Sequence, residues 1–161
     1  MTRDDVALAA IVEQSAAALT AAGFPKLPMR VMMALLVTEQ EGLTAGELGE
    51  SLNSSAAAIS VAVRYLQTVG IVRRIAQPGS RRDRYELPAD AWVRTLNAEQ
   101  SIYGVLAGFA DAAVGAIDDP ESLGSKRSSE MAGFYGFIAG RMPELIAEWE
   151  EVRKASDARG T

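Results

Sequence analysis

Residues 48–74 read LGESLNSSAAAISVAVRYLQTVGIVRR. Leu48 and Leu52 stand four apart, one turn of a helix, and Asn53-Ser54-Ser55 then interrupts the run. Either serine suits a helix N-cap. From there Ile59, Val63 and Leu66 recur at the spacing of one helical face. The helix they predict runs to about Val69. Gly70 follows where a left-handed residue ends a helix. Two helices across a tight turn thus precede Gly70, and their apolar faces are spaced to pack on each other. The far side of the second helix then faces solvent. It carries Ser55, Ala56, Ala57, Ser60, Val61 and Arg64: small residues, hydroxyls and one arginine.

After Gly70 the period changes. Ile71–Ala76 reads as a strand, Gln77-Pro78-Gly79-Ser80 as turn chemistry, and Arg82–Leu87 as the returning strand closed by Pro88. The product is a two-stranded hairpin with a basic tip. On the other side, Thr44 followed by Glu47 is a capping box for the first helix of the pair. Further upstream, helices are expected over Pro28–Glu39, with Val31, Met32, Leu35 and Leu36 as the apolar set, and over the alanine-rich Val6–Ala22. Helices resume near Ala89. Ile102–Ile117 carries only Asp111 as a charge. A helix apolar nearly all round is buried, and in so small a chain a partner must supply part of the cover. Asp118-Asp119-Pro120 is a break, and Ser122–Ser129 is a loop or a helix start. A last helix is expected over about Glu130–Lys154, kinked at Pro143, with Ala155–Thr161 frayed.

The order is helix, helix, turn, helix, hairpin, helices. The pattern Leu48-x3-Leu52-x-Ser54-x4-Ile59-Ser60-x2-Val63-x2-Leu66-x3-Gly70-Ile71-Val72-x-Arg74 resembles the DNA-binding signature of MarR-type transcription regulators. The flanking helices resemble that family in order and approximate length, in particular its GbsR-like branch. The implied fold class is mostly α with a small β-hairpin wing: a winged helix-turn-helix between dimerisation helices. Three segments follow: residues 1–25 as an N-terminal dimerisation helix, 26–88 as the DNA-binding lobe, and 89–161 as C-terminal helices for dimerisation and an effector pocket.

Composition sets the exclusions. The chain has 161 residues, 48% apolar and 23% charged, enough for about one domain. It has no cysteine and no histidine, which removes disulfides, thiolate metal sites, cysteine nucleophiles and the Ser-His-Asp arrangement. Carboxylates such as Asp111, Glu130 and Glu144 remain, but nothing in their spacing pairs them for acid–base work, so no enzyme, cofactor or metal site is expected. No apolar run reaches the length of a membrane span, and the acidic start is unlike a signal peptide, so the expected home is the cytoplasm. The net charge is −5, yet the stretch from Arg64 to Arg84 holds six arginines against one acid, Asp83. A basic island of +5 on a body of −10 fits one surface built for a polyanion.

The candidate contacts follow. In the recognition helix they are Ser54, Ser55, Ala56, Ala57, Ser60, Val61 and Arg64. Small residues let the helix sink into a major groove about 12 Å wide, and serine hydroxyls and N-terminal N–H groups suit phosphates. In the wing they are Arg74, Arg81, Arg82 and Arg84, placed for the backbone or a narrow minor groove. Asp83 is placed to orient one of its arginine neighbours. Alternation puts Arg73 and Arg74 on opposite faces, so at most one meets the duplex. The resemblance also implies a small-molecule pocket, for which Met33, Trp92, Tyr103, Phe134 and Tyr135 are candidate walls. The plainer reading of each is core or dimer interface. The expected partners are double-stranded DNA and a second copy. The alternative is a winged helix that meets protein rather than DNA, and duplex binding separates the two.

Overall fold

A computed structural model describes residues 4–76, 79 and 82–158, the side chains of 97–101 aside. The chain divides into two compact units, Met1–Trp92 and Val93–Thr161.

The first unit begins with α1 (Asp5–Ala21), capped by the Asp4 side chain accepting from the Ala7 N–H, and α2 (Lys26–Val37). Pro28 sits in the first turn of α2, where its missing N–H costs nothing. Val12 and Ala16 of α1 are buried against the core that Met29, Val31, Met32 and Leu35 of α2 contribute to. Arg30 clamps the pair: its Nε donates to both Glu13 oxygens, at 2.8 and 3.0 Å. The first helix, expected as dimerisation material, thus packs in the same unit as the helix pair.

Next come β1 (Leu43–Thr44), α3 (Ala45–Ser51) and α4 (Ala56–Thr68). The capping box forms as expected: Thr44 Oγ1 accepts from Glu47 N at 3.2 Å, and Thr44 N donates to Glu47 Oε2 at 2.7 Å. Leu48, Ile59 and Leu66 have 0% exposure and Val63 1%. The two helix faces therefore interlock as their spacing dictated, at about 1.5–3 kcal/mol per fully buried large side chain. The turn between them is tight enough to specify Gly49, since a Cβ there would lie 2.8 Å from the Ser54 carbonyl oxygen. Gly70 takes φ +77° and ends α4.

The wing is β2 (Arg73–Ile75) and β3 (Arg84–Glu86), antiparallel, with Arg74 opposite Tyr85. Among the described residues the sheet has three strands rather than the expected two, in the order β1-β3-β2. The extended residues leading into the α3 cap pair with the outer edge of β3, Leu43 with Tyr85 and Thr44 with Arg84. Two residues are too short to show alternation, so that strand left no periodic signal to read.

The second unit takes in most of α5 (Ala91–Ile117) and all of α6 (Leu123–Asp157). The last helix starts seven residues before the expected Glu130, because Ser122 is an N-cap whose side chain accepts from Ser125 N at 3.1 Å. Its helical course runs on to Asp157, past the expected end. Pro143 lies inside it. The expected burial of Ile102–Ile117 is not met within the chain: Ala110 is buried, but Phe109 is 71% exposed, with Ile102, Val105 and Ile117 also at the surface.

Candidate nucleic-acid interface

The exposed side of α4 is the one the sequence designated. Ser55, Ala56, Ala57, Ser60, Val61 and Arg64 are all exposed, Val61 to 64%, while Ile59, Ala62, Val63 and Leu66 are buried behind them. Ser54 is half-buried in the turn and donates its hydroxyl to the Leu52 carbonyl. Ser55 is the N-cap, its Oγ accepting from Ala58 N at 3.2 Å, so its own proton is left for an outside acceptor. Ser60 gives its proton to the Ala56 carbonyl at 2.9 Å. Arg64 forms no ion pair among the described residues. Sequence reading missed Tyr65, which is exposed one turn beyond Val61. That four-residue step from Val61 was the available signal.

The wing is less bare than its arginine count implied. Arg74 pairs with Asp83 across the hairpin at 2.8 Å. Asp83 was expected to orient a neighbour in sequence, and it meets the arginine across the ladder instead. Arg73 pairs with Glu86, its register partner, with Nε 2.6 Å from Oε1. Arg84, expected at the DNA surface, points into the fold with a side chain 24% exposed. It donates to the Gly42 carbonyl at 2.5 Å, to Gln40 Oε1 at 3.1 Å and to Glu47 Oε1 at 3.2 Å. Glu47 is held below the ordinary glutamate value of 4.5, first by the Thr44 backbone N–H, against some desolvation, and then by the Thr44 hydroxyl and Arg84. Arg82 is exposed. Arg81 lies outside the described residues.

The five expected pocket residues fall in two groups. Tyr103, Phe134 and Tyr135 meet in the second unit: the two tyrosine rings stack 5.9 Å apart, and Phe134 stands edge-on to Tyr135 at 5.3 Å. Met33 and Trp92 belong to the first unit. Met33 packs partly buried against the core, and Trp92 lines an open groove of about 350 Å³ with Leu35, Leu36, Leu87 and Pro88.

A helix pair with one sealed and one small-residue exposed face, followed by an antiparallel arginine-bearing wing, defines a winged helix-turn-helix. Residues 23–83 match the MarR family, and residues 90–153 match the MmpR5-like MarR family transcriptional regulators. The two matches together support one assignment, a MarR-family winged-helix transcriptional regulator. The fold is shared with a crystal structure of a transcriptional regulator, 23% identical, covering 90% of this chain and 99% of that one with a TM-score of 0.82. Two weaker likenesses have TM-scores of 0.42 and 17% identity. MarR from E. coli in its apo form covers 62% of this chain and 77% of its own. The S. aureus MepR–DNA complex covers 69% and 90%. No curated protein matches the chain.

Proposed function

We propose that this chain is a sequence-specific double-stranded DNA-binding regulator that works as a homodimer on a pseudo-palindromic site. The observation that carries the reading is the face of α4. It is exposed along its length, bears no bulky side chain until Arg64 and Tyr65, and rests on a fully sealed core. Such a helix enters a major groove without steric cost, with Ala56, Ala57 and Val61 offering methyls to thymine and Arg64 reaching a guanine edge or a phosphate. Ser54, Ser55 and Ser60 stand near the backbone at the helix N-terminal half, where N–H groups favour phosphate. In the wing, Arg81 and Arg82 are assigned to the duplex. Arg74 joins them only by sharing its guanidinium with Asp83.

Dimerisation is supported by the second unit, where Phe109, Phe134, Phe137, Leu145 and Trp149 are all at least half exposed. Surface of that kind marks an interface. A two-fold pair doubles the few phosphate contacts of one protomer and sets half-sites about one helical turn apart. We place the protein in the cytoplasm, with the DNA it is proposed to bind. Among the described residues no helix is long and apolar enough to cross a membrane. Within the family, the sequence resembled the GbsR-like branch while residues 90–153 match the MmpR5-like one, so the ligand class is open to assay. The Tyr103–Tyr135–Phe134 cluster is the surface to screen, with organic cations first because aromatic faces attract them.

The test is selection from a random duplex library at near-physiological salt, sequencing the bound fraction. An enriched pseudo-palindrome with half-sites one turn apart is the expected result. Absence of duplex binding, even at low salt, would replace the reading with a protein-interaction module.

A further inference from the structure

The three described arginines of the wing strands are not equivalent. Arg73 and Arg74 have side chains 58% and 61% exposed, each on a single carboxylate. Arg84 has less than half that exposure and three acceptors, all supplied by residues 37 to 44 positions earlier in the chain. Those acceptors sit around one junction. Gly42 presses on β3 so closely that a Cβ there would lie 2.6 Å from the Tyr85 carbonyl oxygen, and its φ of +98° also favours glycine. Thr44, the register partner of Arg84, is the N-cap of α3. Glu47 closes the capping box with one oxygen and takes Arg84 on the other.

We infer that Arg84 is a positioning residue for the DNA interface, a strut that ties the wing to the N-terminus of α3 so that wing and helix pair are presented as one body. The inference rests on the DNA-binding reading for its purpose but on the fold alone for its mechanics. The guanidinium is a planar fork that satisfies several acceptors at once. A β-ladder of two residues with three, as between β1 and β3, has little else to hold its register. Losing the fork leaves the Gly42 carbonyl and Glu47 to water and frees the wing to swing on its hairpin. DNA recognition then loses the entropic advantage of two contact surfaces held in fixed relation.

The test uses the full chain carrying Arg84→Met, Arg84→Lys and Glu47→Gln, and two readouts. The first is amide hydrogen exchange of the free protein. Arg84→Met should speed exchange in β3 and in the first turn of α3 together, about tenfold, and leave Val63 and Leu66 of α4 unchanged. Arg84→Lys should restore part of the protection, and Glu47→Gln should reproduce the linked loosening more weakly. Unchanged exchange, or faster exchange in β3 alone, overturns the strut. The second readout is affinity for the duplex that the wild-type chain enriches. Arg84→Met should weaken binding about tenfold, and Arg82→Ala should cost less in that background than alone, the signature of coupled sites. Multiplicative penalties with a salt slope lower by about one per protomer would make Arg84 a direct phosphate contact and overturn the inference. A wild-type chain that enriches no duplex removes the DNA-binding reading, while the exchange result still decides the strut.

Discussion

The two units of this chain use apolar residues in opposite ways. In Met1–Trp92 the periodic apolar positions close on themselves: Leu48, Ile59, Val63 and Leu66 vanish from the surface, and the side left outside is small or polar. In Val93–Thr161 two long helices leave Phe109 71% and Phe137 64% exposed, with Leu145, Trp149 and Val152 beside them in kind. Both segments are comparably rich in apolar residues, so composition does not separate them. The difference is in closure. A helix pair with a turn and a sheet behind it can surround its own core, whereas two helices cannot cover more than one face of each other. The first unit is a finished body, and the second leaves apolar side chains at its surface.

That contrast breaks or holds most visibly in the core. Leu66→Ala should destabilise the protein by about 2–5 kcal/mol, the cost of a cavity in a close-packed interior, read by urea denaturation. A loss below about 1 kcal/mol would mean that the first unit is loosely packed and the contrast is one of degree. Next in size, Phe109→Asp should do little if the helices act alone, since changes at exposed sites stay within about 0.5 kcal/mol. With a second copy covering Phe109, each protomer should lose about 1.5–3 kcal/mol of burial. Sedimentation equilibrium should then show a dimer turned to monomer, with a melting temperature that no longer rises with concentration. A monomeric wild type would leave the exposed phenylalanines without a role.

The outer face of the finished unit gives the next effect. Arg64→Ala should leave stability unchanged and cost about 1–3 kcal/mol on the enriched duplex, relaxing preference at one position per half-site if Arg64 meets a base. An equal loss on every sequence would make it a phosphate contact. Smaller again, Arg82→Ala should lower the slope of log K against log salt by about one per protomer, and an unchanged slope would take the wing tip off the duplex.

What could be read from the sequence follows the same division. The helix pair was legible because Leu48, Leu52, Ile59, Val63 and Leu66 bury each other within 19 residues of chain, so periodicity and caps carry the whole signal. The exposed face of α4 came with it, as the complement of the buried one. The wing's electrostatics were not legible. The basic island from Arg64 to Arg84 stopped two residues short of Glu86, which covers Arg73, and far from Glu47, which meets Arg84. A charge count along the chain sees neighbours in sequence, while antiparallel pairing decides neighbours in space. The start of α6 was obscured because Leu123-Gly124-Ser125-Lys126-Arg127 has no apolar stripe, and only the Ser122 cap marks it.

The smallest expected effect tests how the wing is joined to the finished unit. The Glu47 carboxyl is held below its ordinary 4.5 chiefly by the Thr44 N–H, with the Thr44 hydroxyl and Arg84 adding to it. A carboxylate stabilised in the folded state contributes fully above its unfolded value and loses that contribution as pH falls through the lower, folded one. Wild type should therefore exceed Glu47→Gln in stability by a constant margin above about pH 5, and the margin should shrink progressively below 4.5. Glu47 is 38% exposed, so solvent screening keeps the margin below about 1 kcal/mol. In Arg84→Met the ion-pair part of the stabilisation is gone but the Thr44 bonds remain, so the margin should be smaller and its decline, starting from the same unfolded value, should be complete at a higher pH. A margin that keeps its full size in Arg84→Met would show that Glu47 serves the helix cap alone, and that the wing is carried by backbone pairing without the guanidinium.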